Sequence, residues 1–397
     1  MINEKTGQRE LAYVVRIDEI QPIPNYDRVE YARVNGWWVV VRKDQFKVGD
    51  PAVYFEVDSQ VPAKEPFLFL EPRHFKIKTQ KMCKVISQGL LMPFEDFGWT
   101  MDNHKVGDFV TKELNVTYTE AEDNKRKAKP VDKYSKMVSR HPKIFKKRWA
   151  KFLMKRNWGK KLLFLFFGKK KDKDTAFPTH FPFVKKTDQE RVENMPWVLD
   201  DKTPFIKTQK CDGSSGTYIL ERKKRNKFEF YVCSRNVRQL DENQQSYYDQ
   251  NYYWEVAKKY KIEEFLKDFL LNHPDIEYVC LQGEICAPGI QKNPQGLTET
   301  RFFAFHFTDS KKGRWNILEA KALWDAYGIP SVPIVDTNYI LPDSMEEFKL
   351  DADGFYDASA CEGKTNRPRE GFVYYKTTDP NFSFKNVSRK YLLKNDK

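Results

Sequence analysis

Asn35-Gly36 stands between two runs of alternating β-formers, RVEYARV and WWVVVRK, and such a pair between such runs is the strongest short-range hairpin signal. It commits the start of the chain to antiparallel sheet. AYVVRIDEI before it, AVYFEV after it and a further β-rich run from Met82 to Phe94 complete a small five-strand barrel. The polar stretch 116–135 has no clear period and reads as a linker. A larger domain mixing strands and helices follows the segment FPTHFPFVKKTDQERVENMP. In it Trp254, Ala257, Ile262, Phe265, Leu266, Phe269 and Leu270 keep a near-helical spacing, with Pro274 just beyond, which predicts one helix.

Charge separates the parts further. The 397 residues carry a net charge of +13, and 14 Lys and Arg against one acid between Arg140 and Lys173 account for all of it. Within that stretch Phe145, Trp149, Phe152 and Leu153 form a helical stripe, and Gly159 is expected to break the pattern before LLFLFF. Three readings stay open: a helical insert packed on a neighbouring domain, a clamp on nucleic-acid phosphates, and a membrane-surface segment. The purely apolar run Leu162 to Phe167 is six residues, where a span needs about twenty. No secretory h-region is visible in MINEKTGQRE, and the six cysteines form no C-x-x-C pair. Neither a structural zinc site nor a disulfide framework is therefore expected, and a soluble cytoplasmic monomer without membrane association is.

The chemistry gathers in the second domain. Lys210-Cys211-Asp212-Gly213 alone equally describes an Asp-Gly turn preceded by a solvated lysine. A lysine amine becomes a useful nucleophile only when burial or nearby cations lower its pKa. Ser234-Arg235-Asn236 follows, then Gln282-Gly283-Glu284, RFFAFHF with Phe305, Glu370-Gly371-Phe372-Val373, and SFKNVSRKY with Lys385. Each has a bland alternative, but the ordered set does not.

In that order the residues resemble the motifs of the covalent nucleotidyltransferases: ATP-dependent RNA ligases, DNA ligases and mRNA capping enzymes. KCDG looks like motif I, SRN like Ia, QGE like III, RFFAFHF like IIIa, EGFV like IV and SFK like V. NGWWVVVRKDQFKVGDPAVYFEVDSQVP and HFKIKTQKMCKVISQGLLMPF are similar to the N-terminal OB module of the Rnl5-type RNA ligases, which seal 3′-OH/5′-phosphate breaks where the 3′-OH strand is RNA. The resemblance covers nearly the whole chain except the basic insert. It implies a multidomain protein: an OB-like β-barrel (1–115), a linker with a basic amphipathic insert (116–185), and an α+β nucleotidyltransferase domain (186–397) of the ATP-grasp-like ligase kind.

The resemblance also implies roles. Lys210 takes AMP from ATP and passes it to an RNA 5′-phosphate, and the 3′-OH displaces it. Lys385 and Arg235 serve the phosphates and depress the Lys210 pKa. Glu370 and Glu284 hold Mg²⁺ or Mn²⁺ through waters, Glu284 having the ribose hydroxyls as a second option. Phe305 stacks on adenine, and Gln209 reads its edge. Residues 140–173 grip RNA phosphates. Two departures are visible: Val387 stands where many relatives have a second motif V lysine, with Arg389 or Lys390 as substitutes, and His306 stands where an acid is usual. Few residues follow Lys385, which leaves no room for a C-terminal OB domain and favours the RNA-ligase side. The alternatives are a DNA-joining or capping-type enzyme and a decayed ligase fold that only binds nucleic acid.

Overall fold

The structure is a computed structural model that describes residues 1–3, 9–118, 144, 147–167, 183–184, 188–224, 227–235, 238–239, 248, 250–362 and 366–395. The N-terminal part holds β1 (Ala12–Arg16), β2 (Glu19–Ile23), β3 (Tyr26–Val34), β4 (Trp37–Arg42), β5 (Pro51–Phe55) and β6 (Leu90–Pro93). Two three-stranded sheets result, in the orders β1-β5-β6 and β2-β3-β4. Strands β1 and β5 are buried almost continuously because they have a core on each face. One core holds Val14, Val53 and Phe55, and the other Tyr13, Ala52 and Tyr54 with Trp37 and Val39 of β4. Strand β4 has one buried face, so it alternates.

The run AYVVRIDEI is thus two strands, and Met82–Phe94 divides as well. A short hairpin of Gln80–Met82 and Val85–Ser87 precedes β6. Asn35 and Gly36 join β3 to β4 as expected, with Val34 opposite Trp37 and Asn35 at φ 52°.

The basic segment contains α1 (Arg148–Met154) and α2 (Asn157–Phe167). Gly159 does not break a helix; it lies inside α2, and the chain turns earlier, at Lys155 and Arg156. Phe145 lies outside the described residues.

The second domain is built on two sheets. The first joins β7 (Glu190–Arg191), β8 (Phe205–Gln209), β13 (Ile334–Tyr339), β14 (Gly371–Lys376) and β15 (Ser383–Val387), in the order β7-β15-β14-β8-β13. The second contains β9 (Ser214–Lys223), β10 (Lys227–Cys233), β11 (Tyr278–Cys286) and β12 (Arg301–Asp309), in the order β10-β9-β11-β12 between two short edge strands. One core, including Ile206, Leu220, Leu281, Phe302 and Trp324, joins residues of both sheets.

Helices α3 (Tyr252–Lys259), α4 (Ile262–Asn272) and α5 (Ile317–Ala326) pack on that core. The single helix expected from Trp254 to Leu270 is two, because Lys261 takes a left-handed φ of 48° between them. Helices α6 (Met345–Asp351) and α7 (Arg389–Asn395) complete the domain.

The two domains meet at the hairpin turn. Gly36 N–H donates to the Glu193 carbonyl at 2.7 Å, and a Cβ on Gly36 would stand 2.7 Å from the Glu193 Cα. Beside it, buried Asn194 has all four of its side-chain hydrogen bonds filled. Its Oδ1 accepts from Tyr13 Oη (2.9 Å) and Trp37 Nε1 (2.6 Å), and its Nδ2 donates to Glu56 (2.6 Å) and Glu190 (2.8 Å). The barrel therefore docks onto the segment that carries β7, and β7 pairs in parallel with β15, placing Arg191 opposite Lys385.

Candidate active site

Strand β8 is buried along its whole length and delivers Lys210 at its end, where the Lys210 N–H still donates to the Gly371 carbonyl at 2.9 Å. That bond draws motif IV against motif I, and the Lys210 ammonium meets Glu370 Oε2 at 2.9 Å. The tight turn after it brings Gly213 N–H to Glu284 Oε1 at 3.0 Å, because β9 and β11 pair antiparallel there. Tyr391, on α7, donates to the Asp212 carboxylate. The ends of the two sheets so bring Lys210, Asp212, Glu284 and Glu370 together.

Electrostatics couple the four. Burial opposes the charge on Lys210, but Glu370 and Glu284 outweigh it and hold the ammonium's pKa above its ordinary value. Burial, with the Glu370 and Asp212 charges adding, pushes Glu284 up to about 8 against the pull of Lys210. Asp212 is pushed up in the same way, by burial and Glu370. The expected depression of Lys210 by Arg235 and Lys385 is thus reversed: the charges that dominate at its amine are carboxylates, and they favour the ammonium form.

Lys385 is the amine brought down. Burial is the main cause, Arg9, Arg191 and Lys210 add to it, and Asp188 opposes them, leaving it at about 7. Arg235 is ion-paired to Asp188, and Asp188 feels Arg235, Lys385 and Arg9 together. Arg191 is 4% exposed; its Nη2 donates to Asp58 at 3.1 Å, while Nε and Nη1 have no hydrogen-bond partner among the described residues. Such buried donors suit an anion with several oxygens. The substitutes considered for the second motif V lysine are engaged elsewhere: Arg389 with Glu346 at 2.7 and 2.8 Å, and Lys390 with Asp353 at 3.3 Å. Val387 itself is buried.

Gln209 is 2% exposed; its Oε1 accepts from the Asp357 N–H at 2.6 Å, and its Nε2 has no partner among the described residues. Phe305 is half-buried at the edge of the main core, and His306 is buried with its pKa lowered by burial, so it takes no acid's part. Asn236, between described segments, lies outside the described residues.

Arg9, Asp188, Arg191 and Tyr391 are members of this site that the motifs did not single out. Among the described residues no three His, Cys, Asp or Glu side chains stand close enough to hold a metal ion by themselves. Two carboxylates near Lys210, Glu370 and Glu284, the second with its pKa pushed up, nevertheless suit a divalent cation that keeps waters and shares phosphate ligands.

Residues 203–392 match the sequence model of a family described as RNA ligase, and residues 11–94 match one described as an OB-fold domain. No curated protein matches in sequence. Among solved structures, an alanine mutant of the Naegleria gruberi RNA ligase with ATP and Mn superposes with a TM-score of 0.73 at 27% identity, covering 98% of this chain and 100% of that one. The Naegleria gruberi RNA ligase with PPi gives the same TM-score and identity, covering 98% and 99%. A further alanine mutant, with AMP and Mn, gives 0.72 and 27% over 97% and 99%.

Proposed function

This chain belongs to the RNA ligase family as an ATP-dependent ligase, and from that premise we propose that it seals 3′-OH/5′-phosphate breaks whose 3′-OH strand is RNA. The reading passes through lysyl-AMP and RNA-adenylate. The observation that carries it is the convergence of Lys210, Glu370 and Glu284 at the sheet ends, beside Lys385 and Arg191. The Lys210 amine, once deprotonated, forms a bond to the α-phosphorus of ATP, and pyrophosphate leaves. The adenylyl group then moves to an RNA 5′-phosphate oxygen, and the 3′-OH of the other end displaces AMP. Splitting one joining into three phosphoryl transfers leaves the protein to supply geometry and charge.

Lys385, Arg235 and Arg191 offset phosphate charge in this reading. Gln209 presents its unpartnered Nε2 to the adenine edge, and Phe305 stacks on the ring. A divalent cation, Mg²⁺ or Mn²⁺, held by Glu370 and Glu284 would supply positive charge beside the α-phosphate and offset the carboxylates that now hold the Lys210 proton. The division at 1–115, 116–185 and 186–397, a phosphate grip by residues 140–173, and a monomeric state belong to the same proposal. So does a cytoplasmic setting, which rests on six free cysteines, five of them buried. No described helix is long and apolar enough to cross a membrane.

Incubation with α-labelled ATP and Mg²⁺ or Mn²⁺ tests the nucleophile: the protein acquires covalent label and Lys210→Ala does not. Equal labelling of the two refutes the assignment. A nick ending in a 3′ deoxynucleotide should not be sealed; sealing it as well as a ribonucleotide end would favour a DNA-joining enzyme.

A further inference from the structure

Helices α1 and α2 form a hairpin with a core of its own. Ala150 and Leu163 are buried at 0% and 2%, with Ile144, Leu153, Met154 and Phe164 packed around them. The helices approach closely through Gly159, where a Cβ would fall 2.2 Å from the Leu153 carbonyl oxygen. That small core leaves four large apolar side chains unused. Trp149, Phe152, Trp158 and Leu162 remain 48%, 54%, 56% and 41% exposed. Lys147, Arg148, Lys151, Lys155, Arg156, Lys160 and Lys161 are interleaved with them, and no acid occurs from 147 to 167. The Arg156 guanidinium already stands 4.4 Å from the centre of the Phe152 ring.

Exposed large hydrophobics scattered singly are ordinary, but four within one short basic hairpin concentrate apolar surface that suits a partner. The cations ask for a polyanion, and three of the four apolar groups are aromatic. Unpaired bases present π-faces that stack on Trp and Phe whatever their sequence, while the backbone tracks a row of Lys and Arg. A continuous RNA duplex buries those faces in its own stack.

We propose that the 148–167 hairpin holds unpaired RNA, with bases stacked on Trp149, Phe152 and Trp158 and phosphates on the surrounding lysines and arginines. This rests on the RNA-ligase reading for the polymer and narrows its substrate class to RNA with a single-stranded stretch flanking the break.

The test uses full-length protein and two variants, Trp149→Leu/Phe152→Leu/Trp158→Leu, which keeps apolar surface but removes stacking, and Lys151→Gln/Lys155→Gln/Lys161→Gln, which keeps the rings. Binding is measured to a labelled oligouridylate, to a nicked RNA duplex without unpaired bases, and to phosphatidylserine-containing vesicles. The leucine variant should lose about 10-fold or more in oligouridylate affinity with little change on the duplex. The glutamine variant should flatten the slope of log affinity against log salt by about 2. Lysyl-AMP formation should be unchanged in both, and its absence from unsubstituted protein would strike the ligase reading rather than this one. Oligouridylate binding by the leucine variant equal to that of the parent overturns the proposal. So does vesicle binding, or self-association, that survives leucine substitution while oligouridylate binding is absent from the parent.

Discussion

Replacing Lys349 by methionine removes the cationic half of an ion pair that water does not reach. Lys349 on α6 and Glu193, just after β7, are both 0% exposed and 2.6 Å apart, and Lys349 also donates to the Val387 carbonyl at 2.8 Å. Methionine keeps most of the volume, so the loss is electrostatic rather than a cavity. Removing one member of a buried pair costs about 3–5 kcal/mol because the other charge stays behind. For a domain of this size each kcal/mol lowers Tm by roughly 2–4 °C, which gives a fall of roughly 6–20 °C.

The sign of the pH dependence follows. Burial alone would raise the Glu193 carboxyl, and Lys349 and Arg191 reverse this, holding it below its ordinary value. In the parent its stabilisation is therefore present above the unfolded carboxyl pKa and lost as pH falls. Without Lys349, burial prevails, and the deficit grows as pH rises through the unfolded carboxyl pKa and shrinks on acidification. Glu193→Leu added to Lys349→Met should restore most of the loss, since an apolar pair replaces a buried ionic one at little cost. Calorimetry and urea melts at two pH values check this. A single variant within about 1 kcal/mol of the parent, or a double variant worse than the single, would refute the reasoning.

Four further outcomes are expected. Lys385, held at about 7 mainly by burial and Arg9, should take up a proton when ATP phosphates bind near neutral pH, seen by titration calorimetry in buffers of different ionisation enthalpy. Its depressed pKa makes the ligand-free protein gain stability as pH rises from about 7 toward the unfolded lysine value, and Lys385→Met should abolish that gain in thermal melts. Glu370→Gln removes the carboxylate at 2.9 Å from Lys210, so an amine-selective reagent should modify Lys210 at lower pH than in the parent, read by peptide mass mapping. Asn194→Ala removes the acceptor of the buried Trp37 indole N–H and breaks the bonds to Tyr13, Glu56 and Glu190, and should cost about 1–3 kcal/mol, with faster proteolysis between the barrel and β7; unchanged stability would mean the hub is not what docks the domains.

Local chemistry is what the chain displays openly. The Asn35-Gly36 turn was legible because the conformation it needs is written in two adjacent residues, and the turn is where the domains touch. The motif residues were legible as types, since Lys210, Glu284 and Glu370 do converge. Their electrostatics were not. Cations were expected to surround Lys210, yet carboxylates from β11 and the edge of β14 reach it first, because only the pairing of strands decides which charge is nearest. Arg9 and Arg191 were invisible for a similar reason: Arg191 meets Lys385 only through the pairing of a two-residue strand with β15, and Arg9, from ahead of the barrel, only once the domains dock. Helical periodicity from Trp254 to Leu270 located the buried face but not the break, since Lys261 at φ 48° is no position that composition marks. Gly159 misled in the opposite direction, serving close packing inside a helix where its conformational freedom suggested an end.

The most direct test is the mass of the protein after incubation with ATP and Mg²⁺ or Mn²⁺, followed by peptide mapping. The account predicts a fraction heavier by one adenylyl group, labile in acid as a phosphoramidate and carried on the peptide containing Lys210. An adduct on any other side chain, or none, would contradict it.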